Sequence, residues 1–530
     1  MKRKIIILLA ACVAAAPLQA QNLEFGGLTY NNDLMMSTDF AALSRSHPFG
    51  TARVMGMGGA FTSLGADLSS MSINPAGLGM YMSSDFGISP SLTWNNMQST
   101  YLGTKSDYSR TRFTLGNLGM AFNLYQGSGT LTSFTLGVGY SKLADFNTTS
   151  AAYGQGIDKS ITDVLAEYMN GVPLSSLGHP DNDPYQPFRR ADVGLWGGIL
   201  AYQTGILDPM SDAQDNKQYT VANNLATGSR TNPSMRNVNK GSIDEYSISG
   251  GFNIQNILYL GFTIGIQDIL YRNDNYYAET YDNNSLPLNG MNYIRSLHLD
   301  GTGVNFKFGA VVRPIENLRI GVAVHTPTLV SINEEYIEWM SADYKNTARG
   351  ELLDSPRSLN EYDINTPTRL LTGISYTLPG VGLITADYER VWYNRMKLRN
   401  MGTENWDFQQ TINNEVSSFY QPANNFRVGI EATPAQNFYI RAGYANYGEC
   451  IATRDAFNNM SSINSYENYS AGLGFRFQNM YVDLAYIYTE YKYAPYTMFY
   501  YGDPDYVVNP GNVETKQSRN TITMSVGVRF

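Results

Sequence analysis

The last eleven residues, NTITMSVGVRF (Asn520–Phe530), put Ile522, Met524, Val526, Val528 and Phe530 on one face and Thr521, Thr523, Ser525, Gly527 and Arg529 on the other. Alternation with period two over this length predicts a strand with one apolar and one polar surface. The pattern recurs upstream. Phe426, Val428, Ile430 and Ala432 alternate with Arg427, Gly429 and Glu431, and Leu318, Ile320, Val322 and Val324 alternate with Arg319, Gly321 and His325. About fourteen such segments follow residue 81, each close to the roughly ten residues that cross a bilayer at a tilt.

The connections sort by length. Gly127-Ser128-Gly129, Gln255-Asn256, Ile315-Glu316, Pro379-Gly380, Ala435-Gln436 and Gln478-Asn479 are tight, whereas the alternate connections are long, polar and tyrosine-rich. Short turns at one end and long loops at the other are the habit of outer-membrane barrels. Hydrocarbon offers no hydrogen-bond partners, and only a closed sheet leaves no open edge. The expected fold is therefore all-β, a transmembrane antiparallel β-barrel of about 14 strands. A soluble sandwich would carry more charge on its polar faces, and charged residues here are 16% of the chain. Phe530 on an outward position resembles the terminal signal read by the barrel-insertion machinery.

The other end of the chain reads as export. Lys2, Arg3 and Lys4 precede an apolar stretch, and Leu18-Gln19-Ala20 ends on a small residue, so residues 1–20 form a signal peptide. Leu9-Ala10-Ala11-Cys12 also matches a lipoprotein box. With cleavage after Ala20, Cys450 is the one cysteine left, too few for an internal disulfide. The net charge of −9 argues against nucleic acid as a partner. The localisation expected is the outer membrane of a Gram-negative cell, with outer-membrane lipid as a partner and the barrel a monomer.

Residues 21–80 precede the strands yet are too apolar and glycine-rich for a solvated tail. Fourteen strands leave a hole unless something fills it, so this segment is expected to be an N-terminal hatch inside the lumen, followed by the barrel at 81–530. The run GTARVMGMGGAFTSLGADLSSMSINPAGL (Gly50–Leu78) resembles the hatch of the FadL/TodX family, in a divergent form of the Bacteroidetes type. Arg53, Gly56, Gly58, Gly59, Ala60, Phe61, Asp67, Asn74, Pro75, Ala76, Gly77 and Leu78 carry the likeness. The resemblance implies an outer-membrane transporter for long-chain fatty acids or other hydrophobic compounds. It makes Arg53, Gly58, Gly59, Phe61, Asp67, Asn74, Pro75, Ala76 and Gly77 hatch or gate residues. Cargo would enter from outside, rest beside the hatch and leave sideways through a gap in the wall.

One connection, 148–242, departs from that pattern. Ser160 with Asp163 forms a helix start, Ile161, Val164, Leu165, Tyr168 and Met169 follow helical spacing, and a second apolar stretch spans Val193–Tyr202. Two readings stand: a loop packed on its own small core, or an exposed groove that captures greasy ligand through Val164, Leu165, Tyr168, Trp196, Ile199 and Leu200. Arg427, Glu431 and Arg441 share lumen faces of neighbouring strands. They make either a salt bridge in the wall or a site in which Arg427 and Arg441 bind a carboxylate.

Enzymatic chemistry is not expected. His47, His179, His298 and His325 are scattered without metal-ligand spacing, and no Gly-x-Ser-x-Gly elbow occurs. No metal or cofactor is implied, although haem suits a greasy pocket as cargo. The alternatives to hydrophobic transport are a general porin for polar solutes, an outer-membrane lipid-modifying enzyme, and an adhesin using the long loops.

Overall fold

This computed structural model describes residues 29–30, 40–45, 49–177, 183–222, 230–282, 287–345, 352–400, 406–452, 463–493, 495–502 and 506–530. The expected signal peptide, most of residues 21–48, His47 and His179 lie outside these.

Fourteen strands close on themselves: β1 (Asp85–Tyr101), β2 (Thr104–Gln126), β3 (Leu131–Asp145), β4 (Thr231–Ile254), β5 (Leu258–Tyr281), β6 (Leu288–Ile315), β7 (Leu318–His325), β8 (Arg369–Leu378), β9 (Gly382–Val391), β10 (Ala423–Ala435), β11 (Phe438–Tyr447), β12 (Ile463–Phe477), β13 (Met480–Tyr493) and β14 (Asn512–Arg529). Each pairs antiparallel with its neighbour, and β14 pairs with β1 from Asp85↔Arg529 to Tyr101↔Val513. Ser84 and Phe530 exchange backbone hydrogen bonds at 2.9 Å and close the seam at the short-turn end.

The faces are inverted relative to a soluble protein. On β14, Ile522 and Met524 are 37% and 42% exposed, whereas Thr523 and Ser525 are 1% exposed. Phe306, Phe308, Ile320, Ile374, Val428, Ile430 and Leu473 face outward in the same way. Such a surface is stable only against hydrocarbon.

At the long-connection end the strands outrun the apolar alternation. The stretch 148–242 is shorter as a loop than its sequence suggests, because Thr231–Ser242 already belong to β4 and Thr148–Tyr153 pairs alongside them. Between β1 and β2 there is a two-residue turn, Leu102-Gly103, with positive φ at both positions. The cause is that alternation records the lipid–lumen contrast and ends with the lipid, whereas the backbone ladder continues. Strands Leu329–Tyr344 and Arg357–Asn365 extend this upper sheet beside β6.

One seam is incomplete. β2 pairs with β3 only from Gln126 up to Asn117↔Ser141. Above that point β2 continues with β1, and β3 turns its remaining ladder to β4.

Candidate functional site: the filled lumen

The segment Gly50–Tyr81 touches the inner face of almost every strand. It contains the short helices Ala52–Gly56 and Ser70–Ile73 and the 3-10 helix Pro75–Met80. Thr51 caps the first, and Asn74 caps the last by accepting from Ala76 N at 3.1 Å, with Pro75 at the first helical position. Thr51 Oγ1 and Ser69 N both donate to Asp67, at 2.8 and 2.9 Å, which ties the start of the segment to its middle.

The wall meets this segment with glycines. A Cβ on Gly261 would lie 2.2 Å from the Pro75 carbonyl carbon, on Gly321 2.2 Å from Thr62 O, on Gly429 2.6 Å from Met57 O, and on Gly443 2.2 Å from Gly58 N. Many are cross-strand partners: Gly527↔Gly87↔Gly119↔Gly139, Gly251↔Gly261↔Gly309, Gly321↔Gly373 and Gly429↔Gly443. A belt of missing side chains thus encircles the lumen and lets backbone pack on backbone. In the segment itself, Gly58 has φ +65° and donates from its N to Ser470 at 3.0 Å; Gly59 has φ +76°.

Charged groups complete the mesh. Arg53 binds Glu431 with two hydrogen bonds, 3.0 and 3.1 Å, and lies over the Phe61 ring. Arg441 reaches the same Glu431 at 2.6 Å and Asp483 at 2.6 Å. Glu431 and Arg441 stand directly opposite each other across β10 and β11. Arg427 is bound to Glu389, which also accepts from Asn425 at 3.0 Å and pairs with Arg369 at 3.4 Å. Both arginines named as carboxylate binders are therefore engaged by wall carboxylates, which is the salt-bridge reading. Asp387, which the sequence did not single out, receives Phe61 N, Thr62 N and Thr62 Oγ1 at 2.8, 2.8 and 2.7 Å. His325 contacts Ile73 O at 2.9 Å.

Above the segment lies a cavity of about 160 Å³. Val54, Met55, Phe49, Leu43 and Ile73 give it an apolar side. Arg45, Lys142, Lys307, Arg369 and Arg427 line it against two carboxylates, Glu245 and Glu389. Lys307 is bound to Glu245. Ser141, Lys142 and Leu143 bring the cavity to the wall where the β2–β3 ladder stops. An apolar layer follows, with Phe40, Ala41 and Leu43 packed among Ile269, Leu299, Ile364, Leu398, Val416 and Cys450.

The mouth is covered by a cap built from 157–177 and 183–222, with Tyr496, Met498, Phe499 and Val508 of the β13–β14 connection. Ser160 starts the helix Ile161–Met169 with the expected capping box. Glu279 of β5 accepts from Ser160 Oγ at 2.5 Å, Ile161 N at 2.7 Å and Tyr277 at 2.6 Å, fastening the helix start to the wall. Burial raises the Glu279 carboxyl above the usual range against these donors. Val164, Leu165, Trp196, Ile199 and Leu200 do not line an exposed groove: all five are buried in the cap's core with Phe188, Tyr293, Met340 and Phe499. Their helices turn the apolar faces toward each other and toward the strand extensions. Tyr168 alone of the six is exposed, against Tyr501.

The fold and lumen define a class: a closed fourteen-strand barrel with an oily exterior and a lumen occupied by its own N-terminal segment. In particular, it is the FadL-type fold. It is similar to a FadL homologue of Pseudomonas aeruginosa, with TM-score 0.55 and 11% identity over 92% of this chain and 100% of that one. It is also similar to the Pseudomonas putida toluene transporter TodX, with TM-score 0.50 and 12% identity over 92% and 99%. No family model matches the chain, and no curated protein compared with it matches in sequence.

Proposed function

We propose that the chain carries hydrophobic small molecules, long-chain fatty acids among them, across an outer membrane by diffusion, as a monomer with Gly50–Tyr81 as the hatch. The observation that carries this reading is the filled lumen. A general porin needs a wide wet passage, and a segment meshed with wall glycines argues against one at its level. Cargo would rest in the cavity above the hatch, its tail toward Val54, Met55 and Leu43 and any anionic head toward the cationic side. It would leave between β2 and β3, where the cavity reaches the end of the ladder. No catalytic step enters this reading.

Uptake of radiolabelled oleate and of toluene by cells lacking their own transporter tests it. Expression of the chain should raise uptake of at least one, while proteoliposomes should swell slowly in arabinose. Rapid swelling with no gain in hydrophobic uptake would favour the porin.

A further inference from the structure

The outward face of β4, β5 and β6 changes character with height, and unbroken register lets it be read in rows. Tyr246, Ile266 and Val304 form the last apolar row. Asp244 and Asp268 lie above them, then Ser242, Leu270 and Asp300, then Lys240, Arg272 and His298, then Val238, Asp274 and Ser296, then Arg236, Tyr276 and Ile294. At the top the sheet bends to enclose an outward-facing concavity of about 610 Å³, lined by Tyr153, Arg236, Tyr276, Asn292 and Ile294 among others.

The charges here are underbalanced. Lys240 and Arg272 share one carboxylate, Asp274, at 3.8 and 3.0 Å, and Asp274 also accepts from Ser296. Arg236 is exposed, lies 4.6 Å over the Tyr276 ring, and forms no ion pair among the described residues. Below the basic rows Asp244 is engaged by Lys142 and Tyr140, and Asp300, one row higher, by Asn333. Asp268 remains on the lipid side and steers an anion to the upper rows.

We infer that this face docks the phosphorylated sugar headgroup of an outer-leaflet glycolipid. Its height supports this choice, because acyl chains lying along Tyr246, Ile248, Ile264 and Ile266 bring a headgroup level with the basic rows. The chemistry agrees. Guanidinium and ammonium groups match phosphate, and tyrosine faces present amphipathic surface to sugar rings. Basic pockets at membrane-interface height are the usual receptors for anionic headgroups. This site lies outside the barrel and does not depend on the cargo route.

Native mass spectrometry of the delipidated full chain, titrated with rough-type lipopolysaccharide, tests the proposal. One glycolipid per barrel should be retained, and R236E/K240E/R272E should lower retention at least tenfold. Enzymatically dephosphorylated glycolipid should bind like the variant, and millimolar inorganic phosphate or free core oligosaccharide should not compete. Equal retention by wild type and variant, or by both forms of the glycolipid, overturns it. So does full competition by the free saccharide or phosphate. Heat-modifiable gel mobility establishes that the variant is folded, and R236Q/Y276A, with a smaller loss expected, serves if it is not.

Discussion

The lumen and the cap are both filled, by opposite means. Below, a thin segment is held by backbone contact with wall glycines and by ionic hydrogen bonds such as Arg53–Glu431 and the three donors on Asp387. Above, the cap is held by an apolar core around Trp196 and Leu165, as a soluble domain would be. The barrel explains the division. Within the bilayer the apolar side of each strand is given to lipid, so the inward side is left with small and polar residues. Above the bilayer no such demand exists, and Tyr277, Tyr293 and Met340 turn inward to build a core.

The sharpest way to break this comparison is a side chain in the belt. In Gly261→Leu the Cβ alone meets the Pro75 and Ala76 backbone at 2.2–2.4 Å. Overpacking ordinarily costs about 1–3 kcal/mol, and a rigid backbone on both sides puts this case at or beyond the top. The expected outcome is a displaced segment and a large rise in planar-bilayer conductance, with the cap unaffected. Trp196→Ala should do the reverse. It removes about 3–5 kcal/mol from the cap's core, opening the cap to limited proteolysis while conductance stays low. A smaller effect is expected from Asp387→Ala, which strips the acceptor from two buried backbone donors and one hydroxyl. Each hydrogen bond to a charged group is worth about 1.5–3 kcal/mol, and the three do not add fully. Faster deuterium exchange at Phe61 and Thr62, with unchanged exchange in the cap, is the measurement.

The two regions also differ in how legible they were. Strand count, short-turn positions and the nearness of Glu431 and Arg441 on neighbouring strands follow from alternation, because lipid enforces it; that the two stand directly opposite comes from the structure. The strand extensions were hidden: in Asn232–Ser242 both faces are polar or packed on protein, so no period marks the ladder. Arg53 and Asn74 could be named through the family-like motif, but Asp387 could not. A lone carboxylate at a lumen position looks like any channel lining until Thr62 is placed beside it. In the cap, the capping box gave the first helix. Whether its apolar face lay open or covered depended on Tyr293 and Phe499, which are distant in sequence.

The subtlest test concerns pH. Glu338 lies on the inner face of the upper sheet beneath Tyr293, whose hydroxyl presses on Gly197 of the cap. Burial is the main influence and pushes its carboxyl up to about 6, against the Tyr336 hydrogen bond and the nearby Arg295, which favour the charged form. A folded-state value above the unfolded one means that the folded cap holds the proton more tightly. The stability from this group is therefore fully present below the ordinary carboxyl value near 4.5 and is lost as pH rises through about 6. A shift of that size corresponds to about 2 kcal/mol at neutral pH. Proteolytic opening of the cap should accordingly be slower at pH 5 than at pH 7.5, tested with a protease equally active at both. Glu338→Gln should flatten the dependence while leaving exchange in the lumen segment untouched. An unchanged slope in Glu338→Gln would mean that the cap's response to pH comes from another group, with Glu279, also raised by burial, the first to examine.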